Sequence, residues 1–228
     1  MKTLRLELLG CFMLTVATTA FGQIAAWEIT GANAATTNPQ PASSLAAQVA
    51  GGSLTLGSGV SASNTTDFFS ANGFNTTSLA AAISGGDYLS FTITPAAGYA
   101  LNISSVSFNS GVSSAVTNFN ASLLSSATGF DAASALHSYS FATTTPPTQS
   151  ITLSGTAALQ NVSGALEFRL YGWRDSAGTS TFRLRTLSGN DLVVSGSVTA
   201  IPEPGTYAVI LGAMVLVGAV IRRRRHVA

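Results

Sequence analysis

Chemistry in this chain would have to come from few side chains. Between Gln23 and Ala200 there is one histidine, His137, and no cysteine. A nucleophile activated by a neighbouring base therefore has His137 as its only histidine, and no Gly-x-Ser-x-Gly turn accompanies it. The acids are Glu28, Asp67, Asp87, Asp131, Glu167, Asp175 and Asp191, too scattered for their spacing to select a carboxylate pair for glycoside hydrolysis. No Asp-x-Asp-x-Asp-Gly loop occurs, and without cysteines no thiolate metal site can form. A calcium held by loops that meet only in space stays open. The expectation is a non-enzymatic domain with no catalytic residue, cofactor or metal.

One constellation suits binding. Glu167, Arg169, Tyr171 and Trp173 share the outward parity of one strand, and Arg183 and Arg185 share that of the next. If the two strands form an antiparallel hairpin, aromatic rings, guanidinium groups and a carboxylate line one face, which could stack a sugar ring and bond its hydroxyls. The preferred register sets Glu167 opposite Arg185 and Arg169 opposite Arg183. The plainer reading is a solvated sheet face, where alternating charges give solubility and guard against edge pairing.

The elements that must position these residues are strands. Leu89, Phe91 and Ile93 alternate with Ser90, Thr92 and Thr94, the period of a half-buried strand, and Pro95 to Gly98 turns it. Leu101 and Ile103 share one parity, Val106 and Phe108 the other, so a bulge at Ser104-Ser105 is needed to keep all four inward. Further alternation runs through Phe119, Ala121 and Leu123, through His137, Tyr139 and Phe141, and through Ile151 and Leu153. Thr145-Pro146-Pro147 separates the last two sets. Leu166, Phe168 and Leu170 face inward, Phe182 and Leu184 answer them, and a final strand spans Leu192 to Thr199 after Ser188-Gly189-Asn190. Helical periods are weak, around Ser44 to Val49 and Ser78 to Ile83. The pattern predicts an all-β antiparallel sandwich over residues 23–200, jelly-roll-like before immunoglobulin-like, with no repeat period for a β-helix.

Charge narrows the partners. Seven carboxylates face four arginines in that region, a net charge of about −3 without a basic patch, which excludes nucleic acid as an expected partner. From Arg5 to Arg169 no Lys or Arg intervenes, so Ser, Thr, Asn and Gly must keep the surface soluble. Such a composition is open to disorder, most of all over residues 31 to 85, but the recurrence of Phe, Leu, Ile and Val argues for a packed core. At the start, Lys2 and Arg5 precede an uncharged run from Leu8 to Phe21 ending in Ala20-Phe21-Gly22, a small-x-small cleavage pattern. Residues 1–22 read as a secretory signal peptide despite Glu7. Leu8-Leu9-Gly10-Cys11 has the look of a lipobox, but the apolar run before Cys11 is too short and continues beyond it.

The tail is the most informative stretch. Pro202 and Pro204 fix their own φ angles, so Pro202-Glu203-Pro204 is a stiff, extended spacer. The uncharged run Tyr207 to Ile221 follows, a helix of roughly 22 Å. That is short for a bilayer core of ~30 Å, a gap that Thr206, the tyrosine ring and snorkelling arginine stems narrow. Arg222, Arg223, Arg224 and Arg225 then act as a stop to translocation. In this order and position the parts resemble the PEP-CTERM sorting signal of Gram-negative bacteria, over residues 201–228. The resemblance implies a transmembrane helix over 206–221, recognition by a membrane-embedded exosortase and cutting near the tripeptide. It implies transient residence in the inner membrane, then the cell envelope or exterior, with exopolysaccharide and biofilm as the setting. An alternative keeps the tail for delivery and makes residues 23–200 a carbohydrate-binding or carbohydrate-active module.

Overall fold

The computed structural model describes residues 22–113, 118–142, 144, 147–175, 180–202 and 204–225; for 204–210, 220, 224 and 225 it describes the backbone alone. Three antiparallel sheets form. Sheet I runs in the order β12 (Gln149–Thr152), β8 (Tyr99–Phe108), β15 (Leu192–Ala200), β1 (Gly22–Trp27), β3 (Ser44–Leu45). Sheet II runs β11 (His137–Phe141), β10 (Phe119–Ser125), β13 (Leu166–Arg174), β7 (Tyr88–Pro95), β4 (Val49–Leu56), β2 (Gln40–Pro41). Sheet III runs β5 (Ser61–Ala62), β6 (Phe68–Asn72), β14 (Thr181–Arg185), β9 (Ser110–Val112). Among the described residues three α-helices accompany them: α1 (Ala34–Thr37), α2 (Leu79–Gly85) and α3 (Pro204–Arg225).

Sheets I and III make one layer and sheet II the other. β8 runs through Asn109 into β9, and across that junction the Arg185 N–H donates to the Asn109 carbonyl at 3.1 Å. Ring contacts tie the layers together. Trp27 of sheet I lies 5.7 Å from Phe91 of sheet II, which stacks on Phe168 at 5.1 Å. At the other end Phe182 of sheet III stacks on Phe119 of sheet II at 5.0 Å and meets Phe74 edge-on at 5.4 Å. These rings are fully buried, so one core runs the length of the sandwich. Aromatic pairs of this kind add ~0.5–1.5 kcal/mol each beyond the area they bury.

The all-β antiparallel class expected from alternation is what forms. The expected bulge is present too: Ser195 pairs Ser105 and Gly196 pairs Ile103, so Ser104 is the extra residue. Leu101, Ile103, Val106 and Phe108 consequently all point into the core. Gly196 is required there, because a Cβ on it would stand 2.0 Å from the Asn102 carbonyl oxygen. Ser78 caps α2 as its period implies, accepting from the Ala81 N–H at 3.2 Å, and Gly86 ends it at φ 76°.

Two expectations need correction. Ser44 to Val49 is not helical: Ser44 and Leu45 form β3 against Ala25 and Ala26, and Gln48 at φ 63° turns the chain into β4. Pairing with a sheet edge outweighs a weak local preference. The strands bearing Glu167 and Arg185 are not neighbours: β13 lies in sheet II between β10 and β7, and β14 in sheet III between β6 and β9. The Glu167–Arg185 and Arg169–Arg183 pairings therefore do not exist. Strands facing each other across a core and strands side by side in a sheet bury the same parity, so alternation alone could not separate the two arrangements.

Of the flanking segments, α3 covers Pro204 to Arg225, and its Leu211, Met214, Val215, Leu216, Val217 and Ile221 are exposed. Among the described residues no helix is long and apolar enough to cross a membrane. The expected leader over 1–22 falls outside the described residues except for Gly22, which opens β1 opposite Gly196.

Candidate functional site

The six residues expected to share a face divide between two. On the outer side of β13 the Arg169 guanidinium makes a fork on Glu167, with Nε donating to Oε1 at 2.8 Å and Nη2 to Oε2 at 3.1 Å. Nη1 donates to the Tyr171 hydroxyl oxygen at 3.3 Å. Its carbon sits 3.9 Å from the centre of the Phe130 ring and 4.5 Å from that of Tyr88. The strand period places Glu167, Arg169 and Tyr171 in one row, and α2 closes over it: Ala82 packs with Leu124 and Tyr171, flanked by Leu79, Ile83, Tyr88, Phe130, Ala135 and Trp173. Tyr171 is 1% exposed and so offers no ring to a ligand. Burial alone would lower the Arg169 pKa, but Glu167 and Tyr171 outweigh it and hold it above its ordinary value. Burial pushes the Tyr171 hydroxyl up, opposed by Arg169. Chemically this row is a satisfied ion pair under a small second core.

The outer side of β14 is different. Thr181, Arg183 and Arg185 alternate outward, facing Asn72, Ser70 and Phe68 on β6, with Gly111 of β9 on the far side of Arg183. Thr181 donates to the Asn72 side-chain oxygen at 2.5 Å, which confirms the shared face. The Arg183 guanidinium lies 4.2 Å over the Phe68 ring. Among the described residues neither Arg183 nor Arg185 has an acidic partner, and no protein group accepts from either Nε. The Ser70 hydroxyl, 1% exposed, also lacks a partner. Burial lowers the Arg183 pKa, and the neighbouring charge of Arg185 adds to that. Alternation marked Arg183 and Arg185 in the sequence, but Ser70 and Phe68, more than a hundred residues earlier, carried no local signal.

The remaining polar groups read as structural. Asp191, at the start of β15, accepts from the Ile29 N–H at 2.6 Å and from the Leu187 N–H, tying β1 to the turn before β15. Burial pushes its carboxyl up to about 6; those two donors oppose the shift and nearby Glu28 adds to it. Glu28 is held below the ordinary carboxylate range, first by its bonds with Thr30 and then by Asp191. This acid pair, 163 positions apart, escaped sequence reading. Asp87 accepts from the Thr76 hydroxyl at 2.9 Å below the end of α2, and burial raises its pKa. His137 contacts Gln149 Oε1 through Nε2 at 3.3 Å and stacks on Tyr139 at 5.7 Å, and among the described residues no carboxylate is bonded to it.

At the tail, the Ile201 N–H donates to the Gly98 carbonyl at 2.8 Å, the last backbone bond to the sandwich among the described residues. Pro202 is exposed immediately after it, Glu203 lies outside the described residues, and Pro204 begins α3. Arg222 and Arg223 are exposed; the side chains of Arg224 and Arg225 lie outside those described. No protein-family model matches the chain, and no curated protein matches it.

Proposed function

We propose that this chain is an exported, non-enzymatic cell-surface or extracellular-matrix protein of a Gram-negative bacterium, delivered by a PEP-CTERM tail that an exosortase reads. The observation that carries the reading is where the tail begins. The sandwich ends at the Ile201–Gly98 bond, and the next residue, Pro202, is exposed at the head of Pro202-Glu203-Pro204, the apolar run and Arg222 to Arg225. A membrane protease would meet the spacer without unfolding the domain. In this reading the helix over 206–221 holds the precursor briefly in the inner membrane, its short reach extended by snorkelling arginine stems, with the arginines inside. Cleavage frees the sandwich into the envelope or exterior, in contact with exopolysaccharide. Two antiparallel layers with the first and last strands, β1 and β15, paired support a jelly-roll-like arrangement. The carbohydrate-binding alternative loses one platform, because Tyr171 lies beneath α2.

The test is Glu203→Ala in a host with a cognate exosortase. The substitution leaves rigidity and hydrophobicity nearly unchanged, so a plain anchor is indifferent to it, whereas a protease that reads the carboxylate stalls. Uncut precursor in the membrane fraction is the expected result; processing and release like the parent would remove the sorting reading.

A further inference from the structure

We propose that the outer face of sheet III is an oxyanion-binding site, in which Arg183 and Arg185 together grip one carboxylate or phosphate group beside Ser70. Scarcity is the first argument. Residues 22–200 contain four arginines and no lysine, and two of the four stand on this one face. Their Cα atoms are two strand positions apart, ~7 Å, so two long side chains on the same side can converge on a single anion. Arg169 by contrast is neutralised, donating to both oxygens of Glu167. Arg183 and Arg185 have no such carboxylate among the described residues, and two like charges sit side by side where an anion would relieve both.

The geometry also prepares the site. Phe68 supports the Arg183 guanidinium from one side at 4.2 Å, which fixes the plane of the fork and lowers the ordering cost of binding. Gly111 opposite Arg183 adds no side chain to the face. The Ser70 hydroxyl, buried and unpartnered in the same row as Arg183, is a further donor aimed to the same side. A planar fork with a hydroxyl beside it matches a carboxylate or phosphate oxygen pair, whereas a neutral sugar would leave both charges unrelieved. Because Arg183 covers Phe68, no free ring is left there for stacking, so recognition is through the charge. The net negative charge of the rest of the domain favours a single anionic group over a long polyanion.

The experiment uses the purified full chain at low ionic strength and follows the arginine Nε–H signals by NMR during titration with inorganic phosphate, galacturonate and, as a neutral control, galactose. Arg183→Lys and Arg185→Lys assign the two signals by removing each in turn while keeping the charge. The proposal expects the Arg183 and Arg185 signals to move together and saturably with phosphate, galacturonate or both, and to ignore galactose. A response to galacturonate alone assigns a carboxylate ligand, and one to phosphate alone a phosphate ligand. In Arg183→Gln/Arg185→Gln the affinity should fall at least tenfold, and in a variant with Arg222 to Arg225 all replaced by Gln it should be unchanged. Stationary Arg183 and Arg185 signals with both anions, or anion binding that vanishes only in the tail variant, would overturn it. The site makes no use of the tail, so the outcome of Glu203→Ala has no bearing on it.

Discussion

The outer faces of β13 and β14 each set arginine beside aromatic rings, one arginine on β13 and two on β14, and resolve the charge in opposite ways. On β13 the cation has its counter-charge two residues away in the same strand, a phenol to bond and a helix above. On β14 the two cations have each other, one ring and an unpartnered hydroxyl. The difference teaches that parity and residue type place a side chain on a face, while what the neighbouring segments lay over that face decides whether it is structural or available. α2 and the Phe130 loop cover one row; among the described residues no acid or phenol bonds the cations of the other, although its Ser70 hydroxyl and both Nε atoms are buried.

Breaking the covered face should cost most. Tyr171→Ala removes a buried ring from beneath α2 and should destabilise the fold by about 3–5 kcal/mol, read by urea unfolding at constant m-value. A loss below about 1 kcal/mol would mean that α2 does not seal this row. Arg169→Gln keeps a polar side chain but strips Glu167 of its fork and two rings of their cation, for a loss of about 1–2 kcal/mol in the same assay. A third test sharpens the comparison with the like-charged acids Asp191 and Glu28. Asp191 has a folded pKa of about 6, above its ordinary value of 3.8, so the folded state binds more protons than the unfolded between those values. Its contribution is therefore complete below about 3.8 and is lost as pH rises through about 6, on the order of 1 kcal/mol between pH 5 and 7. Glu28→Gln removes the neighbouring charge, so the window should move to lower pH in melting curves recorded against pH. The smallest effect belongs to the outer face of β14. Arg185→Gln should change stability by no more than about 0.5 kcal/mol, with a slight gain from the relieved repulsion of Arg183, whereas a large loss would reveal an unrecognised structural partner.

Much of this was legible in the sequence, for a physical reason. Period-two alternation reports which side of a strand is buried, and Leu89, Phe91, Ile93, Leu166, Phe168 and Leu170 are all inside as alternation requires. The bulge followed from a parity break between Ile103 and Val106, which no regular strand can accommodate while keeping both buried. What alternation cannot report is the layer to which a strand belongs, and that is where the hairpin expectation failed. Nor could it foresee Tyr171 buried on the outer side, because the cover comes from α2, some ninety residues earlier. Asp191 and Ser70 were invisible as sites since their surroundings are assembled from distant segments.

The pairing of β1 with β15 has a consequence for how the molecule acquires its shape. β1 lies inside sheet I, between β15 and the two-residue β3, and β8 likewise depends on β15 along its whole length. Until residues 192–200 emerge, the strand nearest the start of the domain has only a two-residue neighbour to bond, and the backbone along Gly22 to Trp27 is without most of its ladder. Closure of this sheet is a late, long-range event in a chain that must span more than 160 residues of sequence to complete it, the kind of topology that folds slowly. Under the export proposed above, sheet I would stay open until its last strand arrives. The segment that completes the sheet is the one that leads directly into Pro202.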